Sequence, residues 1–98
     1  AKSFDTFCPL GPFIQTNFEK NPELGIKCFV NNELKQDGNT RDMIFSIGDI
    51  LCFVSSIMTL LPGDVILTGT PEGVSKVGPG DEIKIEIETI GTLINTIK

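Results

Sequence analysis

Two periodicities divide this chain. From Glu82 to Glu88 apolar and charged residues alternate strictly, with Ile83, Ile85 and Ile87 on one side and Glu82, Lys84, Glu86 and Glu88 on the other. A period of two belongs to an extended strand with one face buried and the other solvated. Further back the period changes. Ile47, Ile50, Leu51, Val54, Ile57 and Met58 recur at helical spacing, and Ser46 with Asp49 three residues on forms the acidic variant of a capping box. Pro62 and Gly63 stop the pattern. The spacing predicts a helix over residues 47–60.

Shorter runs fill in the rest. "IKCFV" at 26–30 and "ELKQ" at 33–36 flank Asn31-Asn32. Asparagine tolerates positive φ, so a tight type I′ hairpin is predicted, broken by "DGNT" at 37–40. "DVILTG" at 64–69 is a continuous apolar run and reads as a buried strand. "FIQT" at 13–16, after the Pro9–Pro12 turn, reads as a short strand, and "IGTLINTIK" as the last one. Residues 17–25 and 70–81 are loops broken by Pro and Gly. No internal repeat or low-complexity segment occurs. The sum is a single domain over residues 1–98, α+β and mostly β, with one main helix near 47–60.

Composition narrows the function classes. A chain of 98 residues fits one domain with a modest core. Hydrophobic residues make up 40% and charged residues 21%, a globular balance. The net charge of −5 and the scattered Lys and Arg argue against nucleic acid or an anionic membrane as a partner. Histidine is absent and Cys8, Cys28 and Cys52 are widely spaced, which excludes a Cys/His zinc site and any His-based triad within these residues. Cys28 and Cys52 sit in apolar runs and read as buried small hydrophobes. The cysteine usage suits a reducing, cytoplasmic setting. No basic stretch followed by an apolar run opens the chain, so no signal peptide is expected. The stretch 44–61 carries Asp49 and several Ser and Thr and cannot serve as a membrane span.

Most charges have local explanations. The Glu/Lys set over 82–88 reads as a solvated face, and Asp37, Asp42 and Asp49 as turn or cap residues. Two places stand apart. In "LTGTPEGV" at 67–74 an apolar run enters Gly69-Thr70-Pro71. Glycine allows close backbone approach to a ligand, and Thr70 offers a hydroxyl and an N–H. That turn is either a cradle for a carboxylate or a plain strand exit. Lys2 lies beside an aromatic, Pro-rich turn. It is either an exposed charge or a group that moves protons or holds an oxyanion.

"KSFDTFCPLGPF", "QDGNTRDMIFSI", "LLPGDVILTGTPEGV" and "PGDEIKIEIETIGTLINTI" resemble, in order and over nearly the whole chain, successive blocks of the fumarylacetoacetate hydrolase family. The likeness is greatest to the branch of acylpyruvate hydrolases, oxaloacetate decarboxylases and 2-hydroxyhepta-2,4-diene-1,7-dioate isomerases. The resemblance implies part of a mixed β-roll and a Mg²⁺ or Mn²⁺ site acting as a Lewis acid. It also implies a small-molecule substrate with a 2-oxo acid or 1,3-dicarbonyl unit, cleaved, decarboxylated or isomerised through an enolate. By the same resemblance Lys2 is the catalytic lysine that points at substrate oxygens, Thr70 holds the substrate carboxylate, and Gly69 shapes that turn. Gln36, Gly38, Thr40 and Met43 match a family block in a structural role, the Pro9–Gly11 segment supports the site wall, and Phe13 replaces a common tryptophan as packing. The family's metal ligands belong to a region upstream of the K-S-F-D block, so no metal ligand is expected here. The chain then reads as the C-terminal part of a larger catalytic domain, inactive alone, and either a homo-oligomer (a dimer) or paired with an N-terminal half. The alternative is an inactive paralogue or β-rich interaction module.

Overall fold

The computed structural model describes residues 2–19 and 21–98. Ala1, and Lys20 in the predicted loop 17–25, lie outside the described residues. Strands β1 (Gly25–Val30), β2 (Glu33–Asn39), β3 (Glu82–Ile87) and β4 (Gly91–Thr96) form one antiparallel sheet in the order β2-β1-β3-β4. A 3-10 turn (Thr40–Asp42) and helix α1 (Ile47–Ile57) lie between β2 and β3 in sequence. The fold is α+β and mostly β, with one main helix.

The β1–β2 hairpin turns on Asn31 and Asn32, whose φ angles of 50° and 66° are the left-handed pair a type I′ turn requires. Asn31 also fastens the turn to β3. Its backbone N–H donates to Glu82 O at 2.9 Å, its Oδ1 accepts from Glu82 N–H at 3.0 Å, and its Nδ2 donates to Asp81 Oδ1 at 2.9 Å. The other carboxylate oxygen of Asp81 accepts from Gly78 N–H at 2.8 Å. The Gly78 bond and then the Asn31 bond hold the Asp81 carboxyl below its ordinary value of 3.8, because both favour the ionised form.

The hairpin is not in simple register. Cys28 pairs with Gln36 and Phe29 with Leu34, which leaves Lys35 as the extra residue of a β-bulge. Beyond the bulge, Gln36 and Gly38 stand opposite Cys28 and Ile26 and therefore share their face. On the other side of β1, Val30, Cys28 and Ile26 stand opposite Ile83, Ile85 and Ile87, and Leu93 of β4 opposes Ile85. These residues make one apolar face. Lys27, Phe29, Lys84 and Glu86 take the other. There Lys84 Nζ lies 4.6 Å from the Phe29 ring centroid and 3.3 Å from Glu86 Oε1. The strict alternation of β3 thus sorts its side chains onto two faces, but all six residues are half-buried, so the charged face is not the fully solvated one the pattern predicts. Strand β2, on the far side of β1, runs to Asn39, three residues past the predicted break after Gln36.

Helix α1 starts where Ser46 and Asp49 place it. Ser46 Oγ accepts from Asp49 N–H at 3.1 Å, and Asp49 Oδ2 accepts from Ser46 N–H at 3.3 Å. Asn21 Oδ1 accepts from Gly48 N–H at 2.9 Å, which ties the segment before β1 to the helix start. The helix ends at Ile57 rather than Leu60, with Met58 extended at φ −140°. In its last turn the Ser55 and Ser56 hydroxyls donate to the carbonyls of Cys52 and Phe53. Such side-chain bonds compete with the helical ladder.

Three expectations are corrected. Residues 13–16 and 64–69 are irregular and belong to no sheet, and Val65 and Leu67 are 55% and 54% exposed. An apolar run favours burial, but a strand also needs a ladder partner for its N–H and C=O groups. Among the described residues neither run has one. Cys52 is exposed on α1 and Cys28 only half-buried. Partial burial pushes the Cys28 thiol above its ordinary 9.0.

The core is small. Leu24 is the one large apolar side chain that is buried among the described residues. Thr40 encloses it: its Oγ1 accepts from Leu24 N–H at 2.8 Å and donates to Pro22 O at 2.7 Å, while Thr40 N–H donates to Leu24 O at 2.9 Å. The apolar stripe of α1 stays open at Leu51, Ile57 and Met58, with Phe53 exposed beside it. No helix among the described residues is long and apolar enough to cross a membrane.

Asp81 gives a pH test. Its folded carboxyl ionises more readily than the unfolded one, so its contribution is fully present above the unfolded value and is lost as pH falls through the lower folded value. Urea-unfolding midpoints measured from about pH 5 to about pH 1 should fall more steeply for the wild type than for Asp81→Asn. Parallel curves would show that the carboxylate does not stabilise the β3 junction.

Candidate functional site

The Thr70 turn lies in the long segment between α1 and β3. Gly69 has φ 96°, and a Cβ added there would meet nothing within 4 Å. Glycine is needed at this position for backbone conformation, not for lack of room. One side chain fastens the turn to the sheet. Gln36 Nε2 donates to Thr70 Oγ1 at 2.8 Å and to Pro71 O at 2.8 Å, with Glu72 O further off at 3.4 Å. Gln36 projects from the apolar face of β2 because the bulge at Lys35 turns it there.

Two glycines set the approach distance. A Cβ on Gly38 would lie 3.2 Å from Pro71 Cγ, so the Pro71 ring packs directly over the strand backbone. A Cβ on Gly73 would run into the carbonyl oxygen of Lys35, the bulged residue. Gly73 also has φ 100°, which L side chains rarely adopt. The loop and the bulge are therefore fitted to each other at Gly38, Gln36 and Gly73.

The polarity of this contact follows from its acceptors. Carbonyl oxygens only accept, so Pro71 O requires the NH₂ end of the Gln36 amide to face the loop. Thr70 Oγ1 is then an acceptor towards Gln36, and its own hydrogen is left to donate elsewhere. Thr70 is exposed. An exposed O–H donor on a fixed turn is the chemistry a carboxylate ligand needs.

The structure does not bring all the expected site residues together. Lys2 is exposed, and among the described residues it makes no ion pair or hydrogen bond with the Thr70 turn. Close by, the Phe4 and Phe7 rings meet edge to face with centroids 5.3 Å apart, and Phe7 N–H donates to Phe4 O at 3.0 Å. Phe13 packs its ring on Gly91, where an added Cβ would lie 3.2 Å from Phe13 Cζ. A surface depression of about 480 Å³ is lined by Gly25, Lys27 and the 86–92 turn and contains none of Lys2, Gly69 and Thr70. Hard divalent cations take six or more oxygen ligands. Among the described residues no three His, Cys, Asp or Glu side chains are grouped to hold a metal ion, so this donor set does not fit one.

Residues 1–98 match the family model described as "Fumarylacetoacetate (FAA) hydrolase C-terminal". The chain belongs to the fumarylacetoacetate hydrolase family. It is 53% identical over 98 residues to protein MJ1656 of Methanocaldococcus jannaschii, covering all of this chain and 41% of that one. It is 48% identical over 99 residues to the 4-hydroxyphenylacetate degradation bifunctional isomerase/decarboxylase of Salmonella dublin, covering 99% of this chain and 23% of the relative. A maleylpyruvate hydrolase from Sphingobium sp. SYK-6, solved in complex with manganese(II) and pyruvate, superposes with TM-score 0.90 at 44% identity, over 96% of this chain and 36% of that one. The chain thus has the fumarylacetoacetate hydrolase fold over nearly its full extent, and spans well under half the length of these relatives.

Resemblance to the family implies a structural role for Gln36 and says nothing of its link to Thr70. The available signal was an amide at the edge of an apolar strand face, two residues before a glycine. The fit of loop to bulge predicts different costs for two glycines that share a left-handed φ. Gly63 has φ 96° and open space around its Cβ position. Gly63→Ala should cost only its backbone term, roughly 1–2 kcal/mol. Gly73→Ala should cost more and should also raise amide hydrogen exchange through residues 69–73. Equal costs and unchanged exchange would mean that the loop is not seated on β2.

Proposed function

We propose that this chain is the C-terminal part of a catalytic domain that acts on small 2-oxo or 1,3-dicarbonyl acids. The reaction is C–C hydrolysis, isomerisation or decarboxylation through an enolate, of the acylpyruvate hydrolase or 2-hydroxyhepta-2,4-diene-1,7-dioate isomerase type. The observation that carries this reading is the Thr70 hydroxyl, fastened by Gln36 as an acceptor and free to donate outward. Family membership and relatives named as an isomerase/decarboxylase and a hydrolase support the reaction class.

In this reading Thr70 donates its O–H, and its N–H, to the substrate carboxylate. Gly69 keeps the backbone open to that end of the ligand. Lys2 sets its ammonium against the substrate oxygens on which negative charge grows in the transition state, where a fixed cation is most effective. The rest of the domain brings Lys2 to the Thr70 turn. A Mg²⁺ or Mn²⁺ ion, supported by the manganese complex of the Sphingobium relative, would supply Lewis acidity from ligands outside these residues.

The open apolar surface supports a partner. Leu51, Phe53, Ile57, Met58, Val65 and Leu67 are all exposed, and apolar area of this extent marks a surface that another chain covers. We place there either a second copy, giving a dimer, or the N-terminal half of the domain, in a cytoplasmic setting. A non-catalytic interaction module would share this surface but not the need for the Thr70 hydroxyl.

Residues 1–98 alone should show no Mg²⁺- or Mn²⁺-dependent turnover of oxaloacetate or acylpyruvates, and activity from them would overturn the placement of the metal ligands elsewhere. In the catalytically competent protein, Lys2→Ala and Thr70→Ala should each lower kcat/KM roughly tenfold to a hundredfold, the scale of a lost charge-assisted hydrogen bond, with little change in Tm. Full activity in both variants would remove the site assignment. Light scattering at high concentration should report an oligomer, and a clean monomer would count against the second-copy arrangement.

A further inference from the structure

We propose that Gln36 is a positioning residue that sets the polarity of the Thr70 hydroxyl, and so governs how tightly the substrate carboxylate binds. This rests on the proposed function, in which Thr70 is the carboxylate donor. Three observations lead to it. Both N–H groups of Gln36 are committed to one loop, at 2.8 Å to Thr70 Oγ1 and 2.8 Å to Pro71 O. Pro71 O can only accept, so the amide cannot turn over without losing that bond and setting its own oxygen against a carbonyl. Among the described residues the Thr70 hydroxyl donates to no partner, so its hydrogen is held available for a ligand.

A threonine hydroxyl left to itself rotates among several partners. In water it donates as readily as it accepts. Fixing Gln36 as the donor removes the arrangement in which Thr70 spends its hydrogen inward. The contribution is one of orientation, made before the ligand arrives and retained through the reaction. An interaction that is equal in the ground and transition states changes KM and leaves kcat alone. A merely structural glutamine would instead loosen the loop and lower kcat and Tm together.

The supporting geometry is specific to this position. The bulge at Lys35 puts Gln36 on the face where the loop lies, Gly38 leaves room for Pro71, and Gly73 closes against the bulged carbonyl. Glutamate at position 36 would keep the length of the side chain but reverse the logic. As a carboxylate it only accepts, so it would draw the Thr70 hydrogen inward, oppose the Pro71 carbonyl and repel an anionic ligand.

The test has two arms. In the 98-residue chain, NMR should show slowly exchanging Gln36 side-chain amide hydrogens whose shifts move on Thr70→Val. Amide signals indifferent to Thr70→Val would overturn the proposal without reference to activity. In the catalytically competent protein, with pyruvate as the competing probe, Gln36→Leu should weaken pyruvate binding and raise KM about tenfold while kcat stays within about twofold. Gln36→Glu should be worse. The double variant Gln36→Leu/Thr70→Val should be no worse than Thr70→Val alone, and Thr70→Ser should keep both near-normal binding and its dependence on Gln36. A Thr70→Val effect with no Gln36→Leu effect would overturn this proposal and leave the carboxylate reading standing. Unchanged pyruvate binding in Thr70→Val would overturn the carboxylate reading itself. A parallel fall of kcat and Tm in Gln36→Leu would reduce Gln36 to a structural residue.

Discussion

The sheet is made of two hairpins, β1–β2 and β3–β4, joined where β1 pairs with β3. That junction closes a long loop of chain containing α1 and the Thr70 turn, and such closure is entropically unfavourable until the strands pair. The bonds from Asn31 to Asp81 and Glu82, across 50 and 51 residues, lie at the point of closure. Once they form, the ends of the site-bearing segment are fixed at β2 and β3. Gln36 then needs to hold only its middle. The order of dependence runs from the Asn31 turn, through the β1–β3 ladder, to the loop carrying Thr70.

The apolar content of the chain goes mostly to surface. Only Leu24 is buried among the large apolar side chains described, while the open stripe of α1 and the run 64–69 face outward. Hydrogen bonds at turns, caps and the β1–β3 junction therefore organise the fold more visibly than a core does. The same condition explains why the apolar face of the sheet is half-covered. The Pro71 loop lies over its β2 edge and Phe13 over Gly91 near its β4 edge, with the isoleucines between only partly shielded.

What was legible in the sequence was local. Ser46 and Asp49 announce a helix start because both capping bonds span three residues. Asn31-Asn32 announces a hairpin because the residue type itself tolerates the required φ. Ile83, Ile85 and Ile87 announce a strand because a period of two has one structural meaning. The runs 13–16 and 64–69 have the hydrophobicity of strands without being strands, because hydrophobicity says that a segment seeks cover but not what pairs with its backbone. Thr70 and Lys2 stand apart by their local context, family resemblance gives them roles, and only the Thr70 turn is fastened to the sheet by a side chain. The Gln36–Thr70 contact was hidden for a different reason. It spans 34 residues and depends on a bulge at a lysine, a residue type that gives no local sign of irregular pairing.

The bulge at Lys35 has a consequence for how this segment can change length. Hairpins near a tip commonly tolerate small insertions and deletions, since the turn absorbs them. Here the bulge, at the present chain length, decides which face of the sheet the Gln36 amide takes. Removing Lys35 would restore simple pairing and leave Gln36 opposite Cys28, whereas pairing at the present length without the bulge would place Gln36 opposite Lys27, on the charged side of the sheet. The bulge takes up one residue: loss of that residue keeps Gln36 on its face, while smoothing the bulge at the present length would silence a loop distant in the chain without altering any residue in it.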